Sequence, residues 1–234
     1  DTKSVVSEIR AGMYRAFSYV LSTSLVQIPF LILLGFAISV CSFAIGGWPW
    51  DNFLTFVLMY SINLWAFDSL AQLLAVVFKS PVLAMLAYLG VWSTSIIFCG
   101  LVFRGGDVVW PFRLFYYMMP LKWLFNATGY DIYIPAEFSG AESCTPGTSI
   151  TAEDGSVSIC TDAGFYCEGA TSSFGCWGRT GEQVLQTLHM TYESLESSDE
   201  RLIDLGVLLG MVMALKIGYT VTLWRTVSAS DSPH

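Results

Sequence analysis

Four cysteines are the residues of this chain whose type and spacing most directly imply chemistry. Cys144, Cys160, Cys167 and Cys176 lie in one acidic segment rich in Gly, Ser and Thr. Disulfides persist in oxidising compartments, so an even number of cysteines in a segment that cannot build its own core predicts crosslinks in an extracellular or lumenal loop. Four cysteines allow three pairings. The two local closures, Cys144 with Cys160 and Cys167 with Cys176, are favoured.

The sequence offers little other chemistry. The spacings of 16, 7 and 9 residues between these cysteines contain no C-x-x-C pair, and His189 and His234 are the only histidines. We therefore expect neither a metal site nor a catalytic Ser/His/Asp or Cys/His arrangement. A phosphate loop of the form G-x-x-x-x-G-K-S/T is also absent from the sequence. The expectation is that this chain is not an enzyme, and that Cys41 and Cys99 are small packing residues.

Long apolar stretches dominate the rest of the chain. Residues 20–45, 53–78 and 82–103 contain one charged residue between them, Asp68, and residues 202–226 form a fourth, weaker stretch. A membrane-spanning helix needs about 20 mostly apolar residues, and these stretches lack the strict alternation of barrel strands. The composition agrees, with 54% hydrophobic and 13% charged residues. The sequence predicts an all-α, multi-pass integral membrane protein with four transmembrane helices.

Two charges lie deep within these stretches, Asp68 and Lys216. An ionised side chain inside a bilayer is costly and is usually paired. Asp68 lies 11 residues before Lys79 and Lys216 lies 9 before Arg225, which gives depths of roughly 16 and 14 Å at about 1.5 Å per residue. We predict a buried ion pair between them. In the alternative, Lys216 extends to the headgroups and Asp68 is protonated or bonded to a polar neighbour. The candidate neighbours are Asn63, Ser69 and Gln72.

Small residues recur at a spacing of four on the last stretch, at Gly206, Gly210, Ala214 and Gly218. Lipid provides no hydrophobic drive for helix association, so small residues that permit close approach are used instead. We predict that this stripe packs against another helix of the same chain. A contact between protomers is the alternative.

Basic residues and cysteines together orient the chain. If residues 1–19 are cytoplasmic, the short cytoplasmic segments hold Lys3, Arg10, Arg15, Lys79 and Arg225. Such a density of basic residues marks the cytoplasmic side. Residues 1–19 and 227–234 are therefore expected inside, and the cysteine-rich loop of residues 139–201 outside. The net charge is −8, and the acidic residues are concentrated in this loop, which argues against nucleic acid as a partner.

Residues 104–138 differ from both a loop and a span. Many aromatic residues surround Arg113 and Lys122, and Pro111 and Pro120 introduce breaks. Aromatic rings with one apolar and one polar edge favour the headgroup level of a bilayer. This segment is predicted to form a pair of short interfacial or re-entrant helices on the outer face.

Several motifs carry a family resemblance. They are residues 98–102 (FCGLV), 110–123 (WPFRLFYYMMPLKW) and 137–138 (EF), with residues 14–19 (YRAFSY) and 28–29 (IP) upstream. In this order, and over nearly the whole chain, the sequence resembles the membrane domain of ABC exporters of the G subfamily, the white/pleiotropic drug resistance type. The resemblance implies a domain of six helices after a cytosolic nucleotide-binding domain. This chain would begin just before the third helix and contain helices three to six.

The same resemblance assigns expected roles. The helix of residues 82–103 would line a central cavity at a dimer axis, with Leu89, Ser93 and Ile96 facing it and Leu101 and Val102 forming an apolar valve. Their i, i+4, i+7 spacing does place the three cavity residues on one helix face, although ordinary helix packing has the same spacing. Residues 1–19 would form the coupling segment to the nucleotide-binding domain. The resemblance also permits one loop cysteine to bridge two protomers.

Two functions follow as expectations. The first is the membrane portion of an ATP-driven exporter of lipids or hydrophobic compounds, paired in the bilayer with a second membrane domain as a homo- or heterodimer. This chain would hold no cofactor, and ATP and Mg²⁺ would bind a nucleotide-binding domain upstream or on a partner. The second is a catalytically inert, transporter-derived structural subunit among unrelated subunits of a larger membrane complex.

Overall fold

Helices account for most of the structure. The computed structural model describes residues 2–78, 80–103, 108–151, 157–168, 177–192, 195 and 198–229. Its helices are α1 (Thr2–Arg10), α2 (Ala16–Gly46), α3 (Phe53–Val77), α4 (Pro81–Ile97), α5 (Arg113–Met118), α6 (Pro120–Tyr133), α7 (Gly181–Thr191) and α8 (Arg201–Ala229). Three short strands lie in the segment before α7: β1 (Ser149–Thr151), β2 (Val157–Cys160) and β3 (Tyr166–Glu168).

The all-α membrane fold class is confirmed. Three of the described helices, α2, α3 and α8, are long and apolar enough to cross a bilayer. The third predicted span, residues 82–103, is shorter than expected because α4 ends at Ile97. Gly100 has a φ of 89°, a left-handed conformation that glycine adopts readily and that does not continue a helix. With 17 residues, α4 is at the lower end of the spanning range.

Helix α3 is the centre of the bundle and packs against α2, α4, α6 and α8. Its contact with α2 depends on small residues: Gly35 lies directly against Ser61, and Ser39 is fully buried nearby. The Ser39 hydroxyl donates to the Gly35 carbonyl at 2.7 Å and the Ser61 hydroxyl to that of Val57 at 2.7 Å. Neither hydroxyl is therefore buried without a partner, and the two backbones can approach closely as membrane helices require.

The hydrophobic clusters define two opposite ends of the bundle. At one end α1 packs against the start of α2 and the end of α8. The members of that cluster are Val6, Ala16, Val20, Tyr219 and Leu223. At the other end Phe43, near the end of α2, packs against Phe53 and Phe56 at the start of α3. The ends of the chain that the structure describes thus lie together, as the predicted topology requires.

Helix α6 and the cysteine-rich segment lie at the end opposite α1. Helix α6 packs against α3 and α8 through a buried cluster. Its members are Met59, Ile62, Ala66, Leu124, Ala127, Leu208 and Val212. From α6 the chain continues into the segment that ends with α7, and α7 packs back on α6. The pair of short helices predicted for residues 104–138 is present as α5 and α6.

The cysteine-rich segment has more structure than its composition predicts. Strands β1, β2 and β3 form an antiparallel sheet in that order. Helix α7 begins with a capping box, in which the Thr180 side chain accepts from the Gln183 backbone and the Gln183 side chain accepts from the Thr180 backbone. Phe165 is buried beside Ala163. Backbone pairing and one disulfide therefore compensate for the small apolar core.

Candidate functional site

A chain of polar side chains links three helices inside the bundle. Gln72 of α3 donates through Nε2 to Asp68 Oδ2 at 2.8 Å and to Gln27 Oε1 of α2 at 2.7 Å. Its Oε1 accepts from Lys216 Nζ of α8 at 2.9 Å. We call Gln27, Asp68, Gln72 and Lys216 the mid-bundle cluster. The amide of Gln72 thereby uses both N–H donors and its acceptor at once.

The direct ion pair predicted between Asp68 and Lys216 is not formed. Both residues are described, and the ion pairs found among the described residues involve neither of them. The estimate that Asp68 and Lys216 lie at similar depths was correct, since both charged groups contact the Gln72 side-chain amide. What it omitted was that Gln72 lies one turn beyond Asp68 and can satisfy an anion and a cation together. The alternative that named Gln72 as a partner of Asp68 describes the carboxylate correctly.

A second polar group, which the sequence did not predict, joins α6 to the start of α8. Arg201 Nη1 lies 2.9 Å from Asp131 Oδ1, and its Nε lies 2.7 Å from Asp199 Oδ1. Next to this pair, buried Asn126 donates through Nδ2 to Asp204 Oδ2 at 2.9 Å. We call Asn126, Asp131, Asp199, Arg201 and Asp204 the outer cluster. Asn126, Ala127 and Thr128 form a glycosylation sequence, and all three residues are buried rather than presented at the surface.

Burial determines the electrostatics of the outer cluster. The Asp131 side chain is 0% exposed, and this loss of hydration raises its pKa to about 6, although the Arg201 guanidinium acts in the opposite direction. Asp199 is exposed, and its hydrogen bond from Arg201 lowers its pKa below the ordinary value. The Arg201 guanidinium also lies 5.0 Å from the ring centroid of Tyr130. One arginine thus joins a buried and an exposed carboxylate.

The predicted cavity residues share an outward-facing surface of α4. Leu89, Ser93 and Ile96 are all exposed in the isolated chain, whereas Ser95 on the opposite side of the helix is buried. The predicted valve residues, Leu101 and Val102, are also exposed and follow the end of α4. No second chain is present, so their roles in a cavity and a valve stay predictions.

The small-residue stripe does not pack as predicted. Gly206 and Gly210 have no atom within reach of an added Cβ, Ala214 is exposed, and only Gly218 approaches another helix, at Leu73. The buried face of α8 instead carries Leu208, Val212, Lys216, Tyr219 and Leu223. The predicted contact within the chain is found only at Gly218 and is wrong for the other three positions, because burial of Lys216 sets the rotation of α8. Exposing that charge to lipid costs about 2.5–3.5 kcal/mol, more than close packing of a few glycines returns. The alternative of a contact between protomers stays a prediction.

One predicted disulfide is confirmed. Cys144 and Cys160 are bonded, with their Cα atoms 6.0 Å apart. The second predicted pair lies outside the described residues, because Cys176 is not described and the Cys167 side chain is not either. His189 lies near the end of α7, with Nδ1 3.0 Å from the Leu195 carbonyl oxygen. His234 is outside the described residues.

The long apolar helices and the polar contacts between them define a helical membrane protein. Comparison with known protein families gives the class: residues 1–130 match the family described as ABC-2 type transporter. The chain therefore belongs to the ABC-2 type transporter family. The matched region contains α1 to α5 and most of α6, so it includes Gln27, Asp68 and Gln72 but not Lys216. A comparison with curated proteins gave no match.

Proposed function

We propose that this chain is the membrane portion of an ATP-driven exporter of lipids or hydrophobic compounds, of the G subfamily of ABC exporters. The observation that carries the proposal is the match of residues 1–130 to ABC-2 type transporters. Membrane domains of this family generally pair with nucleotide-binding domains and dimerise. Because the sequence has no phosphate loop, ATP and Mg²⁺ belong to a nucleotide-binding domain outside these 234 residues, and the chain itself is not the ATPase.

The packing of α1 supports a coupling role for residues 1–19. Val6 of α1 contacts the start of α2 and the end of α8. The Tyr14 hydroxyl donates to Glu8 Oε2 at 2.6 Å, which closes the turn after α1 and raises the pKa of Tyr14 to about 12. A force applied to α1 would therefore act on two long helices at once. In this proposal the nucleotide-binding domain contacts α1.

The exposed face of α4 supports a cavity beside a second membrane domain. Leu89 and Ile96 are 43% and 39% exposed, and both are apolar, so this face suits lipid, a second membrane domain or an apolar cargo better than water. Apolar and amphipathic molecules are the cargo class that such a surface admits. In this proposal Leu101 and Val102 close the cavity towards the outer end.

Substitutions on two flanks of α4 test the proposal. Leu89→Trp adds bulk to the predicted cavity, and Leu83→Trp is the matched control, because Leu83 is also exposed and lies about 120° around the helix. In the proposed dimer this face lies against a second membrane domain, where added bulk costs about 1–3 kcal/mol, so Leu89→Trp should reduce efflux of hydrophobic fluorescent compounds roughly tenfold in cells, with Leu83→Trp near wild type. ATP depletion should abolish efflux.

Two results would contradict the exporter proposal. One is equal efflux from cells with and without the protein across the compound panel. The other is purification of the protein among unrelated membrane subunits without any subunit or domain that binds ATP. Together they would favour the structural-subunit function instead.

A further inference from the structure

Helices α5 and α6 carry two cations for which the described part of the chain provides no anion. Lys122 Nζ lies 4.1 Å from the ring centroid of Trp123, 5.1 Å from that of Tyr116 and 5.0 Å from that of Tyr117. Arg113 Cζ lies 5.9 Å from the same Tyr117 centroid. The ion pairs found among the described residues all belong to Arg201. No described carboxylate neutralises Arg113 or Lys122.

Aromatic rings do not replace the missing acceptors. An ammonium group has three N–H donors and a guanidinium has five, whereas a ring face attracts a cation without offering a lone pair. Within the described residues Lys122 has no hydrogen-bond acceptor, and Arg113 has one long contact, 3.5 Å from Nη2 to the Tyr117 hydroxyl. Among the described residues the arrangement lacks an anion with several acceptor oxygens.

The surroundings of these cations are apolar and exposed. Trp110 is 68% exposed, Phe112 56% and Met118 57%. Such residues, next to aromatic rings with polar edges, are typical of the boundary between acyl chains and headgroups. The segment lies at the end of the bundle opposite α1, where α6 packs on α3 and α8. These surroundings are typical of the level of a bilayer at which lipid phosphates lie.

We propose that Arg113 and Lys122 bind the phosphate diester of a phospholipid headgroup in the leaflet at this end of the bundle. The phosphate supplies the missing charge and acceptor oxygens, with Arg113 forming paired hydrogen bonds and Lys122 acting as a point charge. Both cations contact Tyr117, so one headgroup over this ring is within reach of both side chains. A cationic headgroup amine is not the recognised group, because the Lys122 ammonium already occupies the space between the rings.

This site does not depend on the transport proposal, and binding can be measured without ATP. The purified protein, in a detergent without phosphate, is incubated with phosphatidylcholine or with digalactosyldiacylglycerol, a glycolipid that lacks phosphate. Native mass spectrometry then gives the lipid-bound fraction. The wild-type protein should retain phosphatidylcholine in preference to the glycolipid, and millimolar inorganic phosphate should not displace it, because the acyl chains also contribute to binding.

Substitutions identify the side chains. Arg113→Gln combined with Lys122→Gln should weaken phosphatidylcholine binding roughly tenfold. The exchange Arg113→Lys with Lys122→Arg keeps both charges and should retain most binding. Arg179→Gln, at an exposed arginine outside α5 and α6, is the control and should bind as wild type does.

Three results would overturn the proposal. They are equal retention of the glycolipid, displacement by inorganic phosphate alone, and unchanged binding by the Gln double variant. Circular dichroism and size-exclusion chromatography establish that the variants are folded. If the Gln double variant does not fold, the comparison of the two lipids on the wild-type protein decides.

Discussion

Helix α8 is held at two levels, and the two contacts differ in kind. Near its start Arg201 meets Asp131 directly at 2.9 Å and shares its charge with exposed Asp199. Deeper in the bundle Lys216 reaches Asp68 only through Gln72. At the outer level Asp199 is exposed and can be hydrated. At the deeper level the hydrocarbon core of a bilayer offers no hydrogen bonds to charged groups. The deeper charges are therefore separated by a neutral amide that gives each of them a hydrogen bond.

The largest expected effect comes from breaking the direct pair. Arg201→Gln leaves the fully buried Asp131 carboxylate without its cation, and loss of one partner of a buried pair costs about 3–5 kcal/mol. The lower part of that range applies, because Asp131 can bind a proton. Equilibrium unfolding in lipid–detergent micelles measures the change, with exposed Arg179→Gln as control. A change below about 1 kcal/mol would show that the outer cluster behaves as a surface pair.

The next effect concerns the deeper cation. Lys216→Met leaves Asp68 with an amide donor but no positive charge nearby, so we expect a loss of about 2 kcal/mol in the free energy of unfolding. Asp68→Asn combined with Lys216→Met removes both charges and should recover at least about 1 kcal/mol of it. Additive losses in the double variant would mean that the two charges do not interact through Gln72.

The next prediction concerns Gln72, which links the two charges of the deeper level and has no counterpart in the direct pair of the outer level. Gln72→Leu removes three hydrogen bonds, and at an average of about 0.6 kcal/mol for each such bond in a membrane protein the loss should be about 1.8 kcal/mol. Gln27→Leu removes one bond and should cost about 0.6 kcal/mol. The same unfolding measurement applies. A larger loss for Gln27→Leu than for Gln72→Leu would exclude Gln72 as the centre of the mid-bundle cluster.

The last expected effect is a pH dependence of the outer cluster. Asp131 has its pKa raised to about 6 in the folded protein, so the folded state binds this proton more tightly than the unfolded chain does. The resulting stabilisation of the folded state is complete below the pKa of an aspartate in the unfolded chain, and it is lost as the pH rises through about 6. Between pH 7 and pH 5 the wild-type protein should gain about 1 kcal/mol relative to Asp131→Asn. A loss of stability between pH 7 and pH 5, relative to Asp131→Asn, would show that the Arg201 charge affects the Asp131 pKa more strongly than burial does.

The sequence correctly predicted those features that one local pattern determines. Apolar length placed α2, α3 and α8, equal depth placed Asp68 and Lys216 near one another, and local spacing paired Cys144 with Cys160. These inferences need no knowledge of which helices are neighbours.

Contacts between distant segments were not predictable in the same way. Arg201 and Asp131 are 70 residues apart, and Gln27 contacts Gln72 only because α2 packs on α3. Asp131 does stand out in the sequence as an acid within the aromatic segment, which was the available signal. The stripe at Gly206 and Gly210 misled, because a buried lysine constrains the rotation of a membrane helix more strongly than glycines do.

The distinction between an outer and a deeper contact of α8 requires that the two ends of the bundle face opposite sides of one membrane. A cysteine added at one exposed position at a time tests this directly. The two variants are Ser4→Cys in α1 and Glu182→Cys in α7, each combined with Cys41→Ala to remove an exposed thiol. Sealed membranes are treated with a membrane-impermeant maleimide before and after detergent. We expect one of the two cysteines to be labelled in the sealed membranes and the other only after detergent. Labelling of both without detergent would contradict the account.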